Sequence, residues 1–394
     1  MKEISKKKLL IIVPRLPYPL NSGGRIAIFD TIKSLSFRYE LVLVIVDDDK
    51  DNIKHINVFR EFSNSIHFFT KKKRYFIINA IKGLFQGKPL QVGYFYFKEL
   101  QLLVDSLAPT CDYFLAFMIR TSLYGLNNKL KKGLYSIDSM YLNYLNSFKN
   151  STSLFWKLIY FIEVPLLRKF ELFNINKYDF ITFVNIEEAS YWNKGGNVYT
   201  LPHGVSNDII NYNITDETYS KSIVFIGRMD YQPNIDAVLW FCNNVINHLH
   251  NDIIFYIIGG YPTKAILKLK DKHNNIKILG YVKNPYIIIK SCICTISPMQ
   301  SGGGLQTKIL TAMALESIVV TTSLPVKAID SAVNNVNIIV EDNPIKFANI
   351  INHIYQFPES YLSLKKASKK LIINKYSQKV IETNLYNLTE KYYI

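Results

Sequence analysis

The chain has 394 residues, enough for two domains of ordinary size, and its 48% hydrophobic and 20% charged content argues for a large core and against global disorder. A formal charge of +16 asks for an anionic partner: nucleotide, nucleic acid or acidic membrane surface. Four cysteines (Cys111, Cys242, Cys292, Cys294) show neither metal-ligand spacing nor a disulfide framework, which fits a reducing compartment, and no apolar run is long enough to span a membrane.

In chain order, the first element is a short apolar run at residues 9–13 (LLIIV), read as a buried strand rather than a leader because Pro14 ends it. Residues 21–25 (NSGGR) follow, with Gly23 and Gly24 placed before a helix at 26–34. That pair either lets a phosphate or sugar approach the backbone or simply makes a tight turn. Further strands are expected at 41–46, 113–117, 180–184, 223–226, 253–258, 292–297 and 318–322, with helical patterns between them. Short, nearly continuous apolar strands alternating with helices indicate an α/β protein with parallel sheets covered on both faces.

Between these strands lie segments with chemical content. Lys71, Lys72, Lys73 and Arg74 precede Tyr75, Phe76, Ile77 and Ile78, a pattern of either a membrane-interfacial element or a solvated loop before a buried helix. Asp138 sits in YSIDS, as a sugar contact or as a turn or cap residue. Residues 154–173 are aromatic and leucine-rich, with Pro165 inside, and are read as part of a core helix pair in preference to a lipid contact. His203 in LPHG is an acid/base group or polar contact in an interdomain crevice, or else a turn residue. After a polar stretch at 207–220 the strand–loop pattern restarts, and Gly227-Arg228 follows a strand end, where the arginine's planar fork could clamp a diphosphate or lie free on the surface.

Residues 301–314, SGGGLQTKILTAMA, are the most informative segment. Strand, glycine loop, helix and strand succeed one another, and the helix carries Lys308 in its first turn, where a cation is unfavourable unless an anion is present. The loop therefore points to a phosphate or diphosphate. There is no G-x-G-x-x-G fingerprint and no Walker loop, so hydride-transfer and P-loop readings are poorly supported. Nucleic-acid binding is not expected, since no basic recognition helix is visible.

Taken together, NSGGR, LPHGV, GRMDYQPNIDAVLWF, IIGGYP, LGYV and SGGGLQTKILTAMA resemble glycosyltransferases of the two-Rossmann-domain (GT-B) type, family 4, in the branch of bacterial exopolysaccharide sugar transferases. The similarity is strong over 223–322 and weaker over 47–130. It implies two Rossmann-like domains facing across a cleft: an acceptor domain at 1–207, with a final helix at 375–394 packing back on it, and a nucleotide-sugar domain at 208–374. It further implies a retaining transfer from a nucleotide sugar to a saccharide acceptor, lipid-linked in many such enzymes, in surface polysaccharide synthesis. Arg228 and Lys308 would hold the phosphates, helped by the backbone around Gly227, Gly303, Gly304, Leu305, Gln306 and Thr307. Gly23 and Gly24 would lie against the donor, and Gly280, Tyr281 and Val282 against the base. No cofactor or metal is required by this scheme, and a cytoplasmic enzyme, docked on the inner membrane face through Lys71–Arg74 if that element is interfacial, is expected.

The chain also departs from the family pattern. Two glutamates common in family 4 are replaced by Gly303 and Thr311, and a lysine five residues after Arg228 by Pro233, a loss for which Lys308 could substitute. The histidine that many relatives carry after a first-domain strand is missing from 112–117. A nucleotide-sugar epimerase of the same fold and a catalytically silent, glycosyltransferase-like binding subunit therefore stay as alternatives.

Overall fold

The computed structural model describes residues 6–20, 23–151, 153–302 and 304–393. The chain divides into two compact units, Met1–Pro202 with Glu382–Ile394, and His203–Ile381.

The first unit is built on a seven-stranded sheet ordered β3-β2-β1-β4-β5-β6-β7: β1 (Lys8–Pro14), β2 (Glu40–Asp47), β3 (Ser65–Thr70), β4 (Tyr113–Phe117), β5 (Lys131–Ile137), β6 (Phe180–Phe183) and β7 (Val198–Thr200). Every pairing is parallel. Strand order reverses between β1 and β4, the doubly wound pattern, in which ligands bind beyond the C-terminal strand ends at the reversal. Leu10, Ile12, Val44, Phe114 and Ala116 are fully buried and form the middle of the core. The chain's last residues complete this unit. Tyr393 stacks on Tyr113 with ring centres 4.5 Å apart, and its hydroxyl donates to the Phe114 carbonyl at 2.7 Å. Burying a ring of that size contributes about 1.5–3 kcal/mol.

The second unit holds a six-stranded parallel sheet ordered β10-β9-β8-β11-β12-β13: β8 (Ser222–Ile226), β9 (Ile254–Ile258), β10 (Ile276–Gly280), β11 (Cys294–Ser297), β12 (Ile318–Thr321) and β13 (Ile339–Val340). Its reversal falls between β8 and β11, so the chain leaving those two parallel strands, at 227–231 and at 298–302, starts from the same end of the sheet.

Two elements differ from expectation. The first helix spans Gly23–Ser36, so Gly23 and Gly24 are its opening turn rather than a loop before it. The helix Leu154–Ile175 buries Leu167, Phe170 and Ile175 in its second half only. Its first half turns apolar side chains outward: Leu154 is 84% exposed and Phe161 67%. No helix among the described residues is long and apolar enough to cross a membrane.

Candidate functional site

In the second unit the strand ends are brought together by glycines. Gly227 N–H donates to the Ile258 carbonyl at 2.9 Å, and Gly259 N–H to the Gly280 carbonyl at 2.7 Å. A Cβ on Gly259 would lie 1.7 Å from the Gly227 carbonyl oxygen, so only glycine fits. A Cβ on Gly227 would meet the Asn234 amide nitrogen at 2.7 Å. That vacancy lets Asn234, in the first turn of the helix Gln232–Asn244, fold back over the strand end.

Asn234 is the hub of the site. Its amide nitrogen donates to the Arg228 carbonyl at 3.0 Å, and its amide oxygen accepts from Lys308 Nζ at 2.8 Å. Lys308 Nζ also touches Met299 Sδ at 3.3 Å and lies 4.2 Å from the centre of the Phe225 ring. No carboxylate among the described residues pairs with this ammonium, and burial lowers its pKa from 10.5 to about 7. The helix behind it, Thr307–Ala314, starts without a side-chain cap, which leaves its first N–H groups open to an outside acceptor. Arg228 is exposed, and its Nε and Nη2 donate to Asp230 at 3.0 and 2.5 Å while its guanidinium sits 5.4 Å from the Tyr261 ring. It is therefore a paired surface arginine.

The glycine loop packs against this turn. A Cβ on Gly302, at φ 91°, would come 3.1 Å from Pro233 Cβ, and Gly304 has φ 86°. Gly303 lies outside the described residues. Leu305 and Gln306 are partly buried, Gln306 is the helix N-cap residue, and Thr307 begins the helix. Lys308 thus reaches the residue next to Pro233, the place where a family lysine is missing. At the end of β10, Gly280 has φ 66° with open space above it, Tyr281 is exposed, and Val282 packs on the core beneath.

His203 is not brought into that cluster. Burial lowers its pKa to about 4, and its Nδ1 is buried without a hydrogen-bond partner among the described residues. The next residues pair with the chain before the last helix: Val205 N–H donates to Tyr376 at 2.7 Å, and a Cβ on Gly204 would lie 2.8 Å from Gln378 Cα.

In the first unit Asp138 follows β5, but the helix Met140–Asn150 is capped by Ser139, whose hydroxyl accepts from Leu142 N–H at 3.2 Å. Asp138 is therefore not a cap. Burial raises its pKa, and the charge that opposes this is Arg120. Gly23 and Gly24 sit at a helix start, where a Cβ on Gly24 would meet nothing within 4 Å. Lys71, Lys72, Lys73 and Arg74 are all exposed at the N-terminus of the helix Lys73–Phe85, with Lys71 3.5 Å from Glu99.

Residues 220–356 match the family of group 1 glycosyl transferases. The matched stretch lies wholly within the second unit. Over 365 residues the chain is 23% identical to an uncharacterised 44.6 kDa protein in the cps region of Klebsiella pneumoniae, covering 88% of this chain and 90% of that one. Among solved structures it is similar to Anabaena Alr3699/HepE in complex with UDP and glucose, with a TM-score of 0.69 at 11% identity over 98% of this chain and 100% of that one. It is also similar to the sucrose-phosphate synthase of Thermosynechococcus elongatus, with a TM-score of 0.65 at 12% identity over 98% and 99%. The chain accordingly has the GT-B fold.

Sequence reasoning passed over Asn234, Met299 and Arg120. Asn234 lies inside the quoted GRMDYQPNID and could have been found as the polar residue after Pro233. Two buried acids were also passed over. Glu188 accepts from Ser139 N–H at 2.7 Å, and Glu171 accepts from the Ser139 hydroxyl at 2.6 Å and Tyr141 N–H at 3.0 Å. Both serve the N-terminus of the helix Met140–Asn150, yet burial raises their pKa values to about 8 and about 7. A carboxyl raised in the folded state holds a proton that the unfolded chain has lost. Its stabilising effect is full below the ordinary value of 4.5 and vanishes as pH rises through about 8. Stability measured by denaturant should therefore fall between pH 5 and 8.5, and Glu188→Gln, which keeps an acceptor for Ser139, should flatten that slope by up to about 1.4 kcal/mol per pH unit. An unchanged slope would show that Glu188 titrates normally.

Proposed function

We propose that the enzyme transfers a sugar, with retention of anomeric configuration, from a uridine-diphosphate sugar to a saccharide acceptor in the assembly of a bacterial surface polysaccharide. The observation that carries this reading is the Lys308–Asn234 cluster, set beside an uncapped helix start at the reversal point of the second sheet. When the glycosidic bond to the diphosphate breaks, the leaving phosphate takes up negative charge. An ammonium and a row of N–H groups already in place would meet that charge without reorganisation and without a metal. Arg228 would exchange Asp230 for a phosphate, one anion for another. The exposed ring of Tyr261 beside it, and that of Tyr281 just past β10, suit a flat base. The UDP in the similar Anabaena protein favours uridine, and the cps-region relative favours capsule-type polysaccharide.

The acceptor belongs to the first unit in this reading, and its lipid-linked form would be met at the membrane. Lys71–Arg74 and the outward apolar face of Leu154–Ile175 support that placement. The test is a thermal-shift panel of UDP, GDP, dTDP, ADP and CMP, followed by product analysis with the matching labelled nucleotide sugar. UDP should raise Tm most, by an amount equivalent to about 2.7 kcal/mol at a hundred times its Kd. A panel in which no nucleotide raises Tm would overturn the reading, and an epimerised donor formed with no acceptor present would replace it.

A further inference from the structure

Three neighbouring strands of the first sheet end in the same unusual way. Arg15 after β1, Met118 after β4 and Ile137 at the end of β5 have φ of 69°, 62° and 67°. Residues with a side chain, above all a β-branched one, enter this region at a cost, and such residues gather at binding sites. β1 and β4 flank the reversal point, and β5 is next to β4.

Two arginines meet there over one ring, with guanidinium carbons 5.4 and 5.9 Å from the centre of Phe95. Arg15 is occupied: its Nε and Nη2 donate to Asp48 at 2.6 and 2.9 Å, and the Tyr94 hydroxyl donates to the same carboxylate at 2.7 Å. Arg120 is not. Its Nε donates to Gln91 Oε1 at 2.8 Å, Gln91 in turn donates to the Tyr144 hydroxyl, and Nη1 finds only the Met118 sulfur at 4.0 Å. Its side chain is only partly exposed, and desolvation makes its charge costly. Asp138, on the adjacent strand end, attracts it across a gap too wide for an ion pair. The result is a guanidinium fixed at its Nε, with its outer fork unmet by any oxygen of the described residues, and a carboxylate beyond it.

We propose that Arg120 and Asp138 form an acceptor subsite for a saccharide that carries a carboxylate or a phosphate. The anionic group sits on the outer fork of Arg120, and a sugar hydroxyl donates to Asp138. A planar fork held at one nitrogen matches a two-oxygen anion, and charge-assisted bonds of this kind are the strong ones. A neutral sugar would leave the fork unmet and the desolvated charge uncompensated. Calling the ligand an acceptor rests on the glycosyl-transfer reading above; the anion site itself does not.

Calorimetric titration of the full chain with methyl glucuronide, glycerol phosphate and methyl glucoside tests the proposal. At least one anionic probe should bind tenfold or more tightly than methyl glucoside, and which one does tells a uronate from a phosphate. Arg120→Met should abolish the preference. Arg120→Lys, which keeps the charge and loses the fork, should weaken it several-fold and serves if the methionine variant does not fold. Affinity for UDP should be unchanged in both. A wild type with no anion preference, or a preference that survives in a folded Arg120→Met, overturns the subsite. Loss of UDP binding by the wild type would instead strike the glycosyl-transfer reading and leave the anion site standing.

Discussion

Replacing Lys308 by methionine should lower the transfer rate about 100- to 1000-fold, the range seen when one positioned donor to a developing anion is removed. The same change should make the protein more stable. In the folded state Lys308 has a pKa of about 7 against 10.5 for an ordinary lysine, because burial penalises the ammonium and no carboxylate of the described residues offsets it. A base lowered in this way contributes fully above pH 10.5 and loses its contribution as pH falls through about 7. At neutral pH the charged side chain is therefore a cost. Methionine, of similar length and apolar, removes the cost and should gain on the order of 1 kcal/mol against denaturant, a discount being made for the solvent that still reaches the site. An activity loss accompanied by a stability loss would mean that Lys308 is a packing residue.

A second consequence separates a phosphate ligand from a structural lysine. In the free enzyme at pH 8.5 most of Lys308 is neutral, and a diphosphate beside Nζ favours the charged form. Binding should then take up close to one proton. Calorimetric titration with UDP in two buffers of different ionisation enthalpy measures that number, and Lys308→Met should bring it to near zero. Equal heats in both buffers for the wild type would place the diphosphate away from Lys308.

How far such groups were legible depended on whether their partners were local. The central strands β1 and β2 stand out because both of their faces are buried, which makes the sequence apolar without interruption. β10 was not distinguished, because this edge strand alternates buried and exposed residues and carries Lys277. β5 hides for another reason: it opens with two lysines and Gly133, where a Cβ would stand 2.3 Å from the Phe180 ring. Lys308 could be read from its place in a helix's first turn. What it touches could not, since Asn234 is 74 positions away and is brought back only by the parallel crossover of the sheet. Arg120 gave no signal at all. It is one arginine on a four-residue helix, Met118–Thr121, and only the burial around it makes its unmet fork conspicuous.

Changing Lys71, Lys72, Lys73 and Arg74 together to serine should reduce binding to vesicles of one part phosphatidylglycerol to three parts phosphatidylcholine by up to about 1000-fold. Each basic residue near an anionic surface is worth about 1 kcal/mol, and 1.4 kcal/mol is tenfold. Lys71 already leans on Glu99 at 3.5 Å, so the full figure is an upper limit. The placement of these charges argues for an external partner. Lys73 and Arg74 open the helix Lys73–Phe85, where the helix dipole repels cations and no acidic residue stands in the first turn. An anionic surface would turn that local cost into attraction. The same helix exposes Ile77, Ile78, Ile81 and Phe85, the last 88% accessible. It is tied to Leu154–Ile175 just past its end, where Leu90 N–H donates to Glu163 at 2.7 Å. That second helix exposes Leu154, Phe155, Trp156, Leu158 and Phe161. Cations with apolar side chains on joined helices are what an interfacial element needs, since charge draws it to the headgroups and apolar area holds it there. The two contributions separate by experiment. The serine variant should lose binding to anionic vesicles and show little salt dependence, whereas Phe155→Ser with Phe161→Ser should weaken binding to anionic and neutral vesicles alike. Sedimentation of the wild type that is the same with and without anionic lipid would remove the electrostatic half of the argument, and vesicle binding untouched by the phenylalanine changes would remove the other.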